Sequence, residues 1–340
     1  MRILRSAALA LPWLVAAPVV VAHGTTPPEP PTAAALLLGW TFEPLPTLGI
    51  AVALLVWWRL VRRVDAAHPA HPVPRRRSVA FGLGMAAIAV ALLSGIGAYD
   101  TTLFSVHMVQ HVLLTFVAAP LIALSGPVTL LLRAATPDAR RRWILPVLHS
   151  RVLRVAAFPV VSWLVFAAVM WASHFSPLFD AALEDPLAYD LEHVLFLGTA
   201  LLFWWPVVAV DPAPWRMPYP ARALYVFLQM PQNTFLAVVL LGATSVLYPH
   251  YASTGRTFGS TPLADQGTAA GIMWIVGDVV FLVAILAIIA AWMRAEARDA
   301  DRTDRRADVE RAAIRGREQA LAERLARERE DAQSGSGASR

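Results

Sequence analysis

The sequence contains no cysteine, and Asp, Glu, Lys and Arg together make up only 16% of its 340 residues. The absence of cysteine excludes disulfides, thiolate zinc sites, iron–sulfur clusters and Cys-x-x-Cys copper motifs. The sequence also lacks a phosphate-binding loop, a serine nucleophile elbow and a dinucleotide-binding fingerprint. Histidine, methionine and carboxylate side chains are therefore the metal ligands that remain available.

Hydrophobic residues make up 57% of the chain and form long uncharged runs. Only helices and closed barrels satisfy the backbone polar groups inside a lipid bilayer. These runs are continuous in Leu, Ala and Val instead of alternating, which is typical of helices. We therefore predict an all-α polytopic membrane bundle with seven transmembrane helices. The predicted spans are residues 45–61, 79–98, 104–132, 152–171, 187–210, 224–247 and 268–293.

The segments outside the spans differ in composition. Residues 1–22 are predicted to be a signal peptide, with basic residues before an apolar core and small residues at its end; an uncleaved signal anchor is the alternative. Residues 23–44 are expected to form an outer Pro-rich linker and an interfacial segment. The membrane domain then covers 45–293. The charged tail, 294–340, is expected to be cytoplasmic and helical at first, with disorder at 334–337.

The third span is expected to kink or end at Pro120 or at Gly126-Pro127. Outside the spans, arginine is concentrated in alternate loops. The loops after the first and third spans are rich in arginine, whereas the loops at 99–103 and 172–186 contain none. The positive-inside rule therefore predicts that the mature N-terminus lies outside and the C-terminus lies in the cytoplasm.

Five histidines are predicted to lie near the outer face. His107 and His111 are one helical turn apart in the third span, so their imidazoles share one face and can bind one metal ion. His174 follows the fourth span, His193 lies in the first turns of the fifth, and His250 is in the last outer loop. Because the topology brings these residues to one level, we predict an outward-facing metal site.

Met108 and Asp190 complete the predicted ligand set, as a thioether beside His107 and a carboxylate near His193. A His-rich site without thiols suits copper, with zinc as the second choice. The alternative for the histidine pair of the third span is a structural role at the end of a helix. Asp190 and Glu192 are alternatively placed to favour the helix dipole near an N-terminus.

A further carboxylate, Asp278, lies deeper in the membrane, in the seventh span. Ionisable groups at this depth are costly and usually functional. Its expected partners are Gln229, Gln232 and Asn233 of the sixth span. A structural polar clamp between the two helices is the alternative.

Several segments resemble the CtaG proteins of the caa3-type oxidase assembly family. These segments are residues 105–111 (SVHMVQH), 173–180 (SHFSPLFD), 190–193 (DLEH), 204–206 (WWP), 230–233 (MPQN), 263–266 (LADQ) and 271–274 (GIMW). The resemblance runs from about residue 40 to residue 292 and leaves out the signal and the tail.

This resemblance implies a seven-span protein of the bacterial inner membrane that is needed to form active cytochrome c oxidase and is not an enzyme. The implied partners are the oxidase subunits and membrane lipid, without nucleic acid. A role in supplying copper is also implied, and the binuclear copper of such oxidases is carried outside the membrane. That position agrees with an outward-facing site.

Three functions of other classes remain open from the residues alone. One is an intramembrane zinc hydrolase of the seven-span His/Asp type. Another is a copper-uptake or copper-resistance membrane protein, and the third is a scaffold for oxidase subunits with structural histidines. A zincin motif is disfavoured, because Met108 stands where that motif needs a glutamate.

Overall fold

A computed structural model describes residues 27, 29–176 and 178–337, and the elements formed by these residues are all helical. Six helices are long and apolar enough to cross a membrane, and a bent pair adds a seventh span if it counts as one. The predicted all-α polytopic bundle is therefore confirmed. The predicted signal peptide, 1–22, lies outside the described residues.

The main helices that overlap the seven predicted spans, one for each span, are labelled α1 to α7 in chain order. They are α1 (Pro44–Ala67), α2 (Arg75–Tyr99), α3 (Phe104–Ala134), α4 (Pro159–His174), α5 (Pro186–Val208), α6 (Tyr219–Leu241) and α7 (Pro262–Gly337). The connecting segments contain short helices at Ala33–Leu38, Pro137–Ala139, Arg140–Ile144, Leu145–Leu148, Arg151–Ala156, Leu178–Glu184 and Pro249–Ser253.

The fourth span begins later than the sequence predicts. Residues 152–156 belong to the separate helix Arg151–Ala156, which Ser150 caps by accepting a hydrogen bond from the backbone of its first turn. Pro159 then starts α4, where its missing N–H costs nothing because the first amides of a helix have no partner within the helix. The short helix and α4 are therefore two elements.

A π-helical segment, Leu113–Ala118, interrupts α3 just after His111. In a π-helix each amide bonds to the carbonyl five residues earlier. In this register the Thr115 carbonyl faces Pro120, which has no N–H to donate. The indole N–H of Trp204 on α5 donates to the Thr115 carbonyl instead, at 2.9 Å. This contact joins α3 to α5 one turn beyond His111.

A second interruption of α3 lies at Gly126, where the sequence predicts a break. Gly126 has φ 72°, a left-handed conformation that glycine adopts without steric penalty. Pro127 then begins the last part of the helix. The Asp211 carboxylate accepts the amides of Val128 at 2.9 Å and Thr129 at 2.7 Å, and so caps this new helix start. The predicted break is therefore confirmed.

The loops meet at two opposite ends of the bundle. At one end, the Tyr251 hydroxyl donates to the Asp100 carbonyl at 2.9 Å, and the short helix Leu178–Glu184 packs against Pro249–Ser253. These contacts gather the three loops that are poor in arginine, which we call the Arg-poor end. At the other end, Asp211 joins the loop after α5 to the arginine-rich side of α3.

Helices α3 and α5 pack directly against each other, and α5 also packs against α4. The buried residues in the first half of α5 include Tyr189, Glu192, His193 and Phe196. Their spacing of three and four residues is that of one face of an α-helix. Direct packing of the third and fifth spans, which the predicted metal site requires, is therefore confirmed.

A polar contact joins α6 to α7. Asp278 accepts hydrogen bonds from Asn233 Nδ2 at 3.3 Å and from the Thr234 hydroxyl at 3.1 Å. The expected pairing of Asp278 with Asn233 is confirmed. Gln229 and Gln232 instead hydrogen-bond to each other.

The chain divides within α7 into two compact units. In the second unit, 286–340, the helix continues to Gly337 and carries ion pairs three or four residues apart, such as Arg311–Asp308 at 3.1 Å. The helix therefore includes 334–337, for which the sequence predicts disorder. Once a helix has formed, each added residue gains a backbone hydrogen bond, which favours continuation.

Candidate metal site

His107 and His111 lie one turn apart in the first part of α3. Their ring centroids are 4.1 Å apart, and the residues are 0% and 3% exposed. The start of the helix is fixed by Asp265 of α7, whose carboxylate accepts the Phe104 amide at 2.8 Å. All four ring nitrogens of the pair lack a hydrogen-bond partner among the described residues. A buried unsatisfied polar atom costs about 1–3 kcal/mol, so the pair is suited to hold an external ligand.

Glu192 on α5 brings a carboxylate to this pair. One ligand atom from each of His107, His111 and Glu192 lies within 4.8 Å of the others, and Glu192 Oε2 has no hydrogen-bond partner among the described residues. Atoms bound to one ion at about 2.0–2.2 Å lie at most about 4.4 Å apart, so small side-chain rotations would close the site. We call these three residues the His–His–Glu cluster.

The sequence-based ligand set contains Asp190 and omits Glu192. Glu192 is 8% exposed and shares the buried face of α5 with Tyr189 and Phe196, which lie three residues before and four residues after it. Asp190 is half-buried, and its position lies about 100° around the helix from Tyr189. The spacing from Tyr189 and Phe196 is the sequence feature that distinguishes the two acids.

His193, which the sequence predicts as a ligand, lies beside the cluster. Its ring centroid is 6.0 Å from that of His111. Its Nδ1 is 2.7 Å from the Tyr189 carbonyl, and its Nε2 is 2.8 Å from Gln110 Oε1. Both ring nitrogens therefore face protein oxygens.

Asp100 lies next to His107, with Oδ2 4.0 Å from His107 Nδ1. The Tyr189 hydroxyl donates to Asp100 at 2.5 Å, and the Thr101 amide donates at 2.7 Å. Complete burial raises the pKa of the Asp100 carboxyl to about 7, although these hydrogen bonds oppose the rise. A histidine ligand commonly donates its second ring N–H to a carboxylate, which orients the ring and strengthens metal binding. At 4.0 Å the Asp100 carboxylate lies just beyond hydrogen-bond distance of His107 Nδ1, and a small side-chain rotation would close this gap.

The four remaining predicted ligands, His174, His250, Met108 and Asp190, are not part of the His–His–Glu cluster. His174 Nδ1 is 2.7 Å from a backbone carbonyl of its own helix, and its Nε2 has no hydrogen-bond partner among the described residues. His250 Nε2 is 2.9 Å from the Thr101 carbonyl. Met108 is buried, but it follows His107 directly and so lies about 100° around the helix. Asp190 is half-buried, as described above.

Aromatic rings enclose the histidine pair. The Phe179 centroid is 4.8 Å from that of His107, and the Phe196 centroid is 4.1 Å from that of His111. The Phe179 centroid also lies 6.1 Å from that of the His174 ring. Low polarity strengthens the interaction of a bound cation with nearby carboxylates.

The family model described as a cytochrome c oxidase caa3 assembly factor matches residues 51–295, more than half of the chain. The chain belongs to this family. The part of the chain that matches the assembly-factor family includes the whole His–His–Glu cluster and all seven ligands predicted from the sequence. The resemblance inferred from the sequence motifs is thereby confirmed.

Related proteins also occur in mycobacteria. The uncharacterized proteins Mb0105 of Mycobacterium bovis and MT0111 of Mycobacterium tuberculosis are each 32% identical to this chain over 288 residues. The uncharacterized protein ML1998 of Mycobacterium leprae is 31% identical over 288 residues. These alignments cover 83% of this chain and 43% of each relative, so the chain spans less than half the length of these relatives. No solved structure matches the chain significantly.

Proposed function

We propose that this chain assists the assembly of cytochrome c oxidase by holding a copper ion at His107, His111 and Glu192 and passing it to an oxidase subunit. The observation that carries the proposal is the convergence of buried donor atoms from α3 and α5 that have no hydrogen-bond partner among the described residues. Imidazole is a good ligand for copper, and the chain contains no thiol. In this role copper is the cargo, and the protein does not act as an enzyme.

We infer that the cluster faces the outer side of the bacterial inner membrane. The cluster lies near the Arg-poor end of the bundle, because His107 and Asp100 are adjacent there. The arginine-rich loops meet at the opposite end, and the positive-inside rule assigns that end to the cytoplasm. The tail, 294–340, is then cytoplasmic, and the copper site is on the side where the oxidase carries its binuclear copper.

The experiment is an oxidase assay on membranes with immunoblots, across a series of copper concentrations. His107→Ala or His111→Ala is expected to leave the protein in the membrane while oxidase activity falls. Added copper is expected to restore part of the activity, because a weakened site fills at higher metal concentration. His68→Ala and His71→Ala, at exposed positions in an arginine-rich loop, are the controls. Normal oxidase activity in both site variants at limiting copper would contradict the proposal.

A second candidate is an intramembrane zinc hydrolase, which the composition of the cluster supports. Two histidines and one glutamate are the protein ligands of catalytic zinc in thermolysin-type enzymes. In that case the same variants would abolish a hydrolytic activity and leave the oxidase intact. If the protein is instead a scaffold with structural histidines, the variants would lower its abundance, and copper would not restore oxidase activity.

A further inference from the structure

We propose that the His–His–Glu cluster receives copper in the divalent state and that Glu192 sets this preference. The proposal rests on the function proposed above, because it assumes that His107 and His111 hold copper. It adds the oxidation state of the cargo and a specificity-determining residue.

The first reason is the hardness of the converging donors. The three ligand atoms that approach one another are two imidazole nitrogens and one carboxylate oxygen. Cu(I) is selected by thiolate and thioether sulfur, whereas carboxylate oxygen suits harder cations. The chain contains no cysteine, and Met108 lies about 100° around α3 from His107. The donor set therefore favours Cu(II).

The second reason is the balance of charge in the aromatic enclosure. Glu192 is part of the cluster, and Asp100 lies 4.0 Å from His107. Neither carboxylate forms a salt bridge with an arginine among the described residues. When metal is bound, the ligands are deprotonated and the imidazoles are neutral. Each ionised carboxylate near the site attracts a divalent ion about twice as strongly as a monovalent ion at the same distance. The carboxylate of Glu192 therefore favours Cu(II) over Cu(I).

The same donors also bind other divalent ions, in a predictable order. Affinities of nitrogen and oxygen sites for first-row metals rise to a maximum at Cu(II) and are lower for Zn(II). We therefore expect the purified protein to prefer Cu(II) over Zn(II) when both are supplied. Zinc should bind with the same residues but be displaced by Cu(II).

The test compares both oxidation states on the full chain purified in detergent. Cu(II) affinity is measured against a competing chelator in air, and Cu(I) affinity is measured anaerobically against bicinchoninate. Loss of a group that only hydrogen-bonds to a ligand typically costs 10–100-fold in metal affinity. Glu192→Gln replaces a ligand itself, so we expect it to weaken Cu(II) binding by about 100-fold, the upper end of that range. Cu(I) affinity is expected to change little. The electron paramagnetic resonance spectrum of bound Cu(II) should also change in this variant.

Two further variants complete the design. Glu192→Met offers a thioether and should raise Cu(I) affinity while lowering Cu(II) affinity. Asp190→Asn removes a half-buried carboxylate two residues away on α5 and should leave both affinities unchanged. A size-exclusion profile identical to that of the wild type shows that a variant is folded. If Glu192→Gln does not fold, Glu192→Met still tests the proposal.

The outcomes separate the two proposals. If Glu192→Gln weakens Cu(I) binding as much as Cu(II) binding, or leaves Cu(II) binding unchanged, the preference for the divalent state is overturned, and copper loading at the histidines survives. If the wild-type protein binds neither form of copper, or if His107→Ala binds copper as well as wild type, the proposed function itself fails.

Discussion

Replacement of Asp100 by asparagine tests whether the environment of the histidine pair controls the proposed metal binding. The side chain is fully buried, accepts the Tyr189 hydroxyl at 2.5 Å and the Thr101 amide at 2.7 Å, and lies 4.0 Å from His107 Nδ1. Asparagine keeps the volume and one acceptor oxygen but removes the negative charge. Such outer-shell changes typically cost 10–100-fold in metal affinity. This range corresponds to about 1.4–2.8 kcal/mol of binding free energy.

The assay is a titration of the purified Asp100→Asn protein with Cu(II) against a competing chelator. Tyr251→Phe is the matched control, because the Tyr251 hydroxyl donates its hydrogen bond to the Asp100 backbone carbonyl, at 2.9 Å, and not to the carboxylate. We expect Tyr251→Phe to bind copper like the wild type. Wild-type affinity in Asp100→Asn would refute the orienting role of the carboxylate. Equal loss in both variants would show that the position of the loop, and not the charge, controls binding.

Three other predictions concern topology and stability. A reporter that is active only outside the cytoplasm should be active when fused after Asp180 or Gly255 and silent when fused after His71; the opposite pattern would place the metal site on the cytoplasmic side. Gly126→Ala should lower the free energy of unfolding by about 1 kcal/mol or more, because its φ of 72° is strained for alanine, and an unchanged melting temperature in detergent would contradict this. Asp278→Ala removes the acceptor of two hydrogen bonds between α6 and α7 and should cost about 1–3 kcal/mol of stability; the same melting experiment, with copper affinity unchanged, checks it.

The sequence predicts the membrane helices because spanning segments must be long, apolar and internally hydrogen-bonded. It also predicts that His107 and His111 act together, since residues four apart on a helix share a face. The break at Gly126 could also be predicted, because glycine followed by proline interrupts a helix through the backbone properties of these two residues alone. These features require only short-range information.

The third member of the cluster depends on long-range packing. Which face of α5 meets α3 determines that Glu192 and not Asp190 approaches the histidines. The contact between His193 and Gln110 joins residues 83 positions apart, and no local pattern predicts it. The Thr115 carbonyl in the π-helical turn of α3 likewise takes its donor, an indole N–H, from another helix. The sequence therefore defines the candidate residues, and tertiary packing selects among them.

The most direct test of the proposed metal site is the metal content of the protein as purified from copper-supplemented cells. We expect about one copper per chain in the wild type and a large loss of copper in the double variant His107→Ala/His111→Ala, with His68→Ala unchanged. Metal is quantified by mass spectrometry against protein concentration, on samples of equal purity and equal elution volume. Copper retained by the double variant at the wild-type level, or absent from the wild type, would contradict a copper site at the His–His–Glu cluster.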